Sequence, residues 1–319
     1  MEQTHGRYVL ITPARNEAGF IELTIQSVLK QTARPLRWVI VSDGSTDGTD
    51  DIVRKHAARH DWIELLRMPD RKERHFGGKV LCFNAGYSSL VTRHPSLCFD
   101  IIGNLDADIS FEADLFAFLL SKFTEHPKLG VAGVPFTEGS GTYDFRFSSI
   151  EHVSGQCQLF RRECFEAIGG YIPLKLGGID VVAVLSARMK GWQTRTFTEK
   201  FYVHHRLMGT AKHGNTKANF MLGEKDYSIG RHPLWQVCRA FYQTSRPPVI
   251  LGGALLLTGY FWAMLSRVER PLPEDLVRFQ RREQMQRLRE FLSRRLLFRK
   301  HSNSALESKL RRVGVAKIE

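Results

Sequence analysis

The sequence lacks the features that mark secreted, zinc-binding and repetitive proteins. Its five cysteines include no C-x-x-C pair, so neither a disulfide framework nor a zinc site is expected. No apolar segment precedes the first strand pattern at Tyr8, which argues against a signal peptide. No Ser, Gly or Pro tract and no internal repeat divides the chain. These absences favour a protein of the reducing cytosol.

The composition is that of a globular protein with a basic end. The chain has 319 residues, of which 43% are hydrophobic and 25% charged. This length allows one large domain, or a domain of about 230 residues with an appendage. The formal net charge is +13, and the residues from Arg267 onward contribute 15 Lys and Arg against 7 Asp and Glu. A basic tail attracts either nucleic acid or an anionic membrane surface, and charge alone does not choose between them.

Strand and helix patterns alternate over the first part of the chain. The alternation predicts an α/β fold with a mostly parallel sheet covered by helices. In such sheets ligands bind beyond the carboxyl ends of the strands, where Asn16, Asp43 and Asp106 all fall. The elements read from the pattern are strands at Tyr8–Thr12, Trp38–Val41 and Ile63–Leu66, and helices at Phe20–Leu29, from the Asp43 turn to His56, and at Glu112–Phe123.

Two carboxylates stand one residue apart at a strand end, in the stretch Asn104-Leu105-Asp106-Ala107-Asp108-Ile109. Alternate strand residues point to the same side, so both carboxylates can face one point. Oxygen ligands in this arrangement suit a hard divalent cation, although D-x-D alone is a frequent pattern.

Six motifs in register make the pattern specific, and together they resemble the inverting glycosyltransferases of family 2 over roughly Tyr8 to His205. They are Thr12 to Glu17, Ser42 to Thr49, Asn104 to Asp108, Gly78-Lys79 ahead of Asn84-Ala85-Gly86, Arg161-Arg162 ahead of Gly169-Gly170-Tyr171, and Gly178-Ile179-Asp180 ahead of Arg188 to Trp192. Two positions depart from the family pattern. Ser42-Asp43 stands where the family often has two Asp, and Ile179 replaces the first member of an acidic pair.

The resemblance implies a GT-A fold, a nucleoside diphosphate sugar donor, and Mg2+ or Mn2+ as cofactor. Asp180 matches the position of the family's catalytic base, which takes a proton from the acceptor hydroxyl. Asp108 is the expected metal ligand, with Asp106 and His204 as further candidates, while Asp106 can instead meet the ribose or sugar. Residues expected to bind the nucleotide sugar are Pro13, Arg15, Glu17, Asp43, Ser45, Lys79, Asp106 and Arg161.

Each of these residues also has a plainer interpretation. Asp43 and Ser45 can cap a helix, and Asp180 can cap the helix expected over Val181–Lys190. Lys79 can be a solvated surface residue, one of Arg161 and Arg162 should face solvent, and a single His such as His204 need have no role at the site.

Three segments are expected: a catalytic domain at 1–232, an apolar helical segment at 233–270, and a basic amphipathic helix and tail at 271–319. Residues 249–265 carry no charge, and as a helix they reach about 26 Å, slightly short of a hydrocarbon core of about 30 Å. A single crossing would place the Arg-rich end outside, so an interfacial or re-entrant helix at the cytosolic membrane face is favoured over a single-pass span. The alternative is that the tail helix packs on the catalytic domain.

The functional hypothesis is a metal-dependent enzyme that moves a single sugar to a lipid-linked or glycan acceptor. Processive relatives carry Q-x-x-R-W, but the corresponding stretch Gln243 to Pro247 lacks the Trp. Alternatives are a polyprenyl-phosphate glycosyl synthase, a nucleotidyltransferase, and a basic protein that binds nucleic acid or membrane without catalysis. Nucleic acid is not an expected partner, because no RNA-binding signature is present and such binding leaves the carboxylates unexplained.

Overall fold

The computed structural model describes residues 6–69, 77–138, 141–142, 149–206, 215–244 and 250–293. The chain divides into two compact units, Met1–Met221 and Leu222–Glu319. The division falls inside a helix, whereas the predicted catalytic domain ends at residue 232. The part of the predicted basic tail beyond residue 293 lies outside the described residues.

The first unit is built on a seven-stranded sheet in the order β10-β6-β9-β4-β1-β2-β3. All neighbouring pairs in it are parallel except those of β9, which runs antiparallel to both β4 and β6. Its strands are β1 Tyr8–Ala14, β2 Arg37–Ser42, β3 Ile63–Arg67, β4 Ile101–Leu105, β6 Leu129–Gly133, β9 Cys157–Arg161 and β10 Gln193–Thr196. This is the mostly parallel α/β sheet expected from the strand and helix alternation.

Helices cover both faces of this sheet, because its strands carry apolar side chains on both sides. Tyr8 and Leu10 join a core with Ile25 and Phe116 on one face. On the other face α3 lies so close that a Cβ on Gly86 would stand 2.8 Å from Ile11 Cγ2. The helices of this unit are α1 Ile21–Leu29, α2 Thr49–Ala57, α3 Gly77–Arg93, α4 Leu115–Glu125, α5 Arg162–Ala167 and α6 Ile179–Met189.

A second, four-stranded sheet was not predicted. One of its strands begins at Ile109, directly after Asp108, and therefore fixes the position of the end of the D-x-D stretch. Its order is β5-β11-β7-β8, with strands β5 Ile109–Phe111, β7 Phe136–Glu138, β8 Gly141–Thr142 and β11 Tyr202–His204. His204 pairs with Ile109 across the antiparallel β11–β5 ladder. This pairing brings the C-terminal end of β11 beside Asp108.

The second unit is helical in its described part. It holds the end of α7 Asn215–Ser228, α8 Pro233–Gln243, α9 Leu251–Leu265 and a further helical stretch at 274–293. The predicted apolar segment 249–265 corresponds to α9, except that residue 249 is not described. Among the described residues, no helix combines the length and the apolar character needed to cross a membrane. In the stretch 274–293 Leu276 is buried, whereas Phe291 and Leu292 are exposed.

Candidate functional site

The loops after β1 and β2 interlock beyond the carboxyl end of the sheet. These strands end side by side, with Ala14 paired to Ser42. The Asn16 N–H donates to Ser45 Oγ at 3.2 Å, and Arg15 Nη1 donates to Asp43 Oδ2 at 3.3 Å. The Glu17 N–H donates to Thr49 Oγ1 at 2.8 Å. The first two predicted polar turns therefore do converge.

Asp43 and Ser45 do not cap the following helix. The N-cap of α2 is Gly48, which provides no side chain for capping. Asp47 makes the local contacts instead, since its carboxylate accepts the Thr49 N–H at 3.1 Å and the Ala18 N–H at 2.9 Å. The capping interpretation of Asp43 and Ser45 is thus wrong. Both side chains are largely buried in the loop cluster.

Lys79 lies against Asp106 rather than in open solvent. Its ammonium group forms an ion pair with the Asp106 carboxylate and also donates to the Gly155 carbonyl at 3.2 Å. Only 27% of the Lys79 side chain and 22% of the Asp106 side chain is exposed. Burial raises the pKa of Asp106 above its ordinary value, and Lys79 partly offsets that rise. The lysine therefore helps keep a mostly buried carboxylate ionised.

The main chain at Gly155 connects this pair to Asp180. The Gly155 N–H donates to Asp180 Oδ2 at 3.3 Å, while its carbonyl accepts from Lys79 and Asn104. Glycine is required by the close approach, because a Cβ at this position would stand 2.8 Å from Asp180 Cβ. Asp180 lies in the first turn of α6, and the N-cap of that helix is Gly178, so Asp180 is not the cap.

Asp108 belongs to a second cluster with His204 and Arg206. His204 Nε2 lies 3.4 Å from Asp108 Oδ2, and Arg206 Nε lies 3.6 Å from the same oxygen. Burial alone would raise the pKa of Asp108, but His204 and Arg206 outweigh it and hold that pKa below its ordinary value. For His204 burial alone would lower the pKa, yet Asp108 and Glu138 raise it. The two acids of the D-x-D stretch therefore have opposite pKa shifts.

Arg206 joins this cluster to the loop cluster after β1. Its guanidinium also forms an ion pair with Glu17, and it stacks over Phe20 at 5.4 Å from the ring centroid. Phe20 in turn stacks with His205 at 6.4 Å between centroids. One arginine thus links the first polar turn to the second acid of D-x-D.

The donor chemistry of Asp108 and His204 fits a divalent metal. Carboxylate oxygen and imidazole nitrogen are both metal donors, and the His204 nitrogen that faces Asp108 is Nε2. The other ring nitrogen, Nδ1, is buried with no hydrogen bond among the described residues and lies 3.7 Å from Glu138 Oε1. Within residues 6–69, 77–138, 149–206 and the later described ranges, no three His, Cys, Asp or Glu side chains already form a metal-binding group. Asp106 is paired with Lys79, so the predicted three ligands are not gathered together.

Two predicted residues lie outside these clusters. Arg161 pairs in register with Ile101 at the start of β4, at the opposite end of that strand from Asp106. Its guanidinium donates to the carbonyls of Leu129 at 3.1 Å and Phe123 at 2.8 Å, so the structure does not bring it to the predicted nucleotide-sugar residues. Pro13 lies in β1, in register with Val41 of β2, and constrains the path of the main chain at the end of the strand.

Sequence reasoning missed Gly155, Glu138 and Arg206. Gly155 and Glu138 stand outside every motif used, and no residue pattern around them distinguishes them. Arg206 directly follows the His204-His205 pair, and its position next to a candidate metal ligand was the signal that could have identified it.

Comparison with known proteins agrees with the residue motifs. The model of the family described as glycosyl transferase family 2 matches residues 9–174, which confirms the resemblance. The poly-beta-1,6-N-acetyl-D-glucosamine synthase of Staphylococcus aureus (strain MSSA476) is 28% identical over 140 residues, or 44% of this chain and 31% of that protein. The Staphylococcus epidermidis enzyme of the same name is 26% identical over the same length. The chain thus matches less than a third of the length of these curated relatives.

Solved structures share the fold at low sequence identity. The mannosyltransferase PcManGT from Pyrobaculum calidifontis, in complex with GDP-Man and Mn2+, has a TM-score of 0.53 and 19% identity, covering 86% of this chain and 78% of that one. S. aureus TarS 1-349 in complex with UDP-GlcNAc has a TM-score of 0.52 and 13% identity, covering 83% and 74%. The fold is accordingly GT-A-like.

Proposed function

The chain belongs to glycosyl transferase family 2, and we propose that it moves a single sugar, with inversion, from a nucleoside diphosphate sugar to a lipid-linked or glycan acceptor at the cytosolic membrane face. The observation that carries this proposal is the main chain of Gly155. Its N–H contacts Asp180, and its carbonyl contacts Lys79, which is paired with Asp106. One glycine residue therefore connects the acid that would activate the acceptor to the acid that would meet the donor.

The donor would occupy the crevice between the clusters. Asp43 and Ser45 lie beyond β2, where a carboxylate can accept a hydrogen bond from a base N–H. Glu17 is held by Arg206 and can accept from base or ribose hydroxyls once that ion pair opens. Solved relatives in complex with GDP-Man and with UDP-GlcNAc support a nucleotide sugar as donor.

Asp180 would act as the general base. It would take the proton of the acceptor hydroxyl while that oxygen attacks the anomeric carbon from the face opposite the leaving diphosphate. Ile179 in place of an acidic neighbour leaves no adjacent like charge within the chain segment. Arg206 contacts both Glu17 and Asp108. Because Asp108 is the proposed metal ligand next to the diphosphate, the Arg206 guanidinium would turn from Glu17 toward the diphosphate when the donor binds.

A divalent metal completes the proposed site. Asp108 and His204 would hold Mg2+ or Mn2+, which when bound stabilises negative charge on the leaving nucleoside diphosphate. The complex of the mannosyltransferase with Mn2+ supports a divalent metal as cofactor. Asp106, whose negative charge is balanced by Lys79, would meet the ribose or sugar instead.

Transfer of a single sugar rests on the stretch Gln243 to Pro247, which lacks the Trp of the processive motif. The test is the size of the product, since a processive enzyme lengthens one acceptor many times before releasing it. A single added sugar at high donor excess is expected. A ladder of long products would instead favour polymer synthesis, the activity in the names of the curated relatives.

The acceptor class is tested with Asp180→Asn. A hydroxyl acceptor needs its proton removed, so the substitution should lower its rate by about 10²–10⁴-fold. A polyprenyl phosphate is already ionised near neutral pH and should keep most of its rate. Rates with a glycan and with a polyprenyl phosphate, measured side by side, separate the two acceptors. An unchanged rate with a hydroxyl acceptor would contradict the role of Asp180.

A further inference from the structure

Helix α9 in the second unit buries small residues together with Leu256 and Tyr260, and it exposes large apolar residues on its other face. Its exposed positions follow the helical repeat, and 48% of Leu251, 57% of Trp262 and 76% of Leu265 is accessible. The helix contains no charged residue. Its buried positions are Gly252, Gly253, Leu256, Gly259, Tyr260 and Ala263. An ordinary amphipathic helix in water instead has polar side chains on its exposed face.

Glycines allow the helices of this unit to pack with their backbones in close approach. A Cβ on Gly253 would stand 2.5 Å from the Ala240 carbonyl oxygen of α8. A Cβ on Gly223 would stand 2.2 Å from the Leu256 carbonyl oxygen of α9. Small residues at helix contacts, with large apolar residues facing outward, are typical of helices packed in lipid, where the surroundings are as apolar as leucine.

Helix α8 adds a second exposed apolar stripe. Leu234 is 53% exposed and Phe241 71% exposed, two helical turns apart, and α8 packs against α9. We call Leu234, Phe241, Leu251, Trp262 and Leu265 the apolar surface. Exposed large apolar side chains concentrated on two packed helices indicate an interaction site.

Charge complementarity favours an anionic partner. Arg267 and Arg270 follow α9 directly and are exposed. The helical stretch 274–293 exposes Arg278, Arg282 and Arg289 at helical spacing, together with Glu274, Asp275 and Glu290, and it buries Leu276, Gln280 and Gln284. The basic excess is that of the sequence from Arg267 onward, with 15 Lys and Arg against 7 Asp and Glu. Apolar side chains next to arginines match the acyl chains and headgroups of an anionic leaflet.

Helix α9 is too short to cross a bilayer. At 1.5 Å per residue, the 15 residues of α9 reach about 22 Å, against about 30 Å for the hydrocarbon core. We propose that the apolar surface lies in the headgroup and acyl boundary of an anionic membrane, with Trp262 and Leu265 inserted and Arg278, Arg282 and Arg289 facing the lipid phosphates. This proposal deepens the proposed function and rests on it, because transfer to a lipid-linked acceptor is what would bring the chain to a membrane.

Vesicle binding by the full chain tests the proposal. Co-sedimentation is measured with vesicles of phosphatidylcholine alone and of phosphatidylcholine mixed with phosphatidylglycerol, without nucleotide sugar. The variant W262Q/L265Q should bind the mixed vesicles at least about tenfold more weakly, because two apolar side chains lose their burial. The variant R278Q/R282Q should lose about fivefold per arginine on mixed vesicles, and little on phosphatidylcholine alone.

The matched control is L23Q/V91Q, which replaces two residues of the first unit that are 45% and 40% exposed and should leave binding unchanged. Equal loss in that control would overturn the proposal, as would wild-type chain that binds neither vesicle. So would a wild-type dimer that W262Q/L265Q dissociates, since the face would then contact a second copy. Vesicle binding without any sugar transfer would refute the proposed function and leave this inference standing.

Discussion

Replacing Lys79 by Met removes the charge that faces Asp106. Asp106 would remain mostly buried beside Asp108 without its ion-pair partner. Removing one member of a fully buried pair costs about 3–5 kcal/mol. Because about a quarter of each side chain is exposed here, solvent screens part of that cost, and we expect a loss of about 2 kcal/mol at neutral pH.

The sign of the pH dependence follows from the raised pKa of Asp106. A carboxyl with a raised pKa in the folded state destabilises the fold when ionised, and protonation removes this cost. Without Lys79 the pKa rises further, so the cost at neutral pH grows. The stability deficit of Lys79→Met should therefore be largest near pH 7 and shrink toward about pH 5, as Asp106 becomes protonated.

Thermal unfolding at both pH values measures this deficit. A loss of about 2 kcal/mol corresponds to a fall in Tm of about 4–8 °C for a unit of this size. The control is Lys200→Met, because Lys200 pairs with Glu112 and Asp114, which are 63% and 53% exposed. That change should cost less than about 1 kcal/mol at either pH. A Lys79→Met deficit that is equally large at both pH values would refute the reasoning about Asp106.

Two further variants test the connections between the clusters. Gly155→Ala should lower kcat by about 10–100-fold, because the new Cβ displaces Asp180. The control Gly19→Ala, with nothing within 4 Å of its Cβ, should have no effect. An unchanged kcat in Gly155→Ala would show that Gly155 does not position Asp180. Arg206→Gln should raise the donor KM about tenfold or more, because the diphosphate loses the guanidinium proposed to turn toward it from Glu17, and Arg206→Lys should recover only part of that affinity. Donor titrations that show wild-type KM in both variants would exclude Arg206 from donor binding.

The parallel part of the fold could be predicted from the sequence because its signals are local. Runs such as Val9-Leu10-Ile11 are buried on both faces of the sheet, and the structure places β1 there. The direction of β9 could not be predicted, since apolar content gives no strand direction. The strands β5, β7 and β11 have three residues each, too few for a periodic pattern.

The candidate site was predictable from strand ends and from the family motifs. Asp43 and Asp106 were recognised because they follow strands, and Asp180 because it matches the position of the family's catalytic base. The partners of all three depend on contacts distant in sequence. Lys79, near the start of α3, contacts Asp106 directly after β4. Arg206 contacts Glu17 although the two residues are far apart in the sequence. Arg161 shows the converse: a motif residue whose guanidinium turns to main-chain carbonyls at the other end of β4.

Metal-dependent use of a nucleotide sugar is the central claim. Its most direct test is release of nucleoside diphosphate from a panel of nucleotide sugars with Mn2+, comparing wild type, wild type with chelator, and Asp108→Ala. We expect turnover of at least one donor by the wild type, and loss of that turnover both with chelator and in Asp108→Ala. Turnover that persists unchanged in chelator and in Asp108→Ala would contradict it, as would failure of every nucleotide sugar to bind or react.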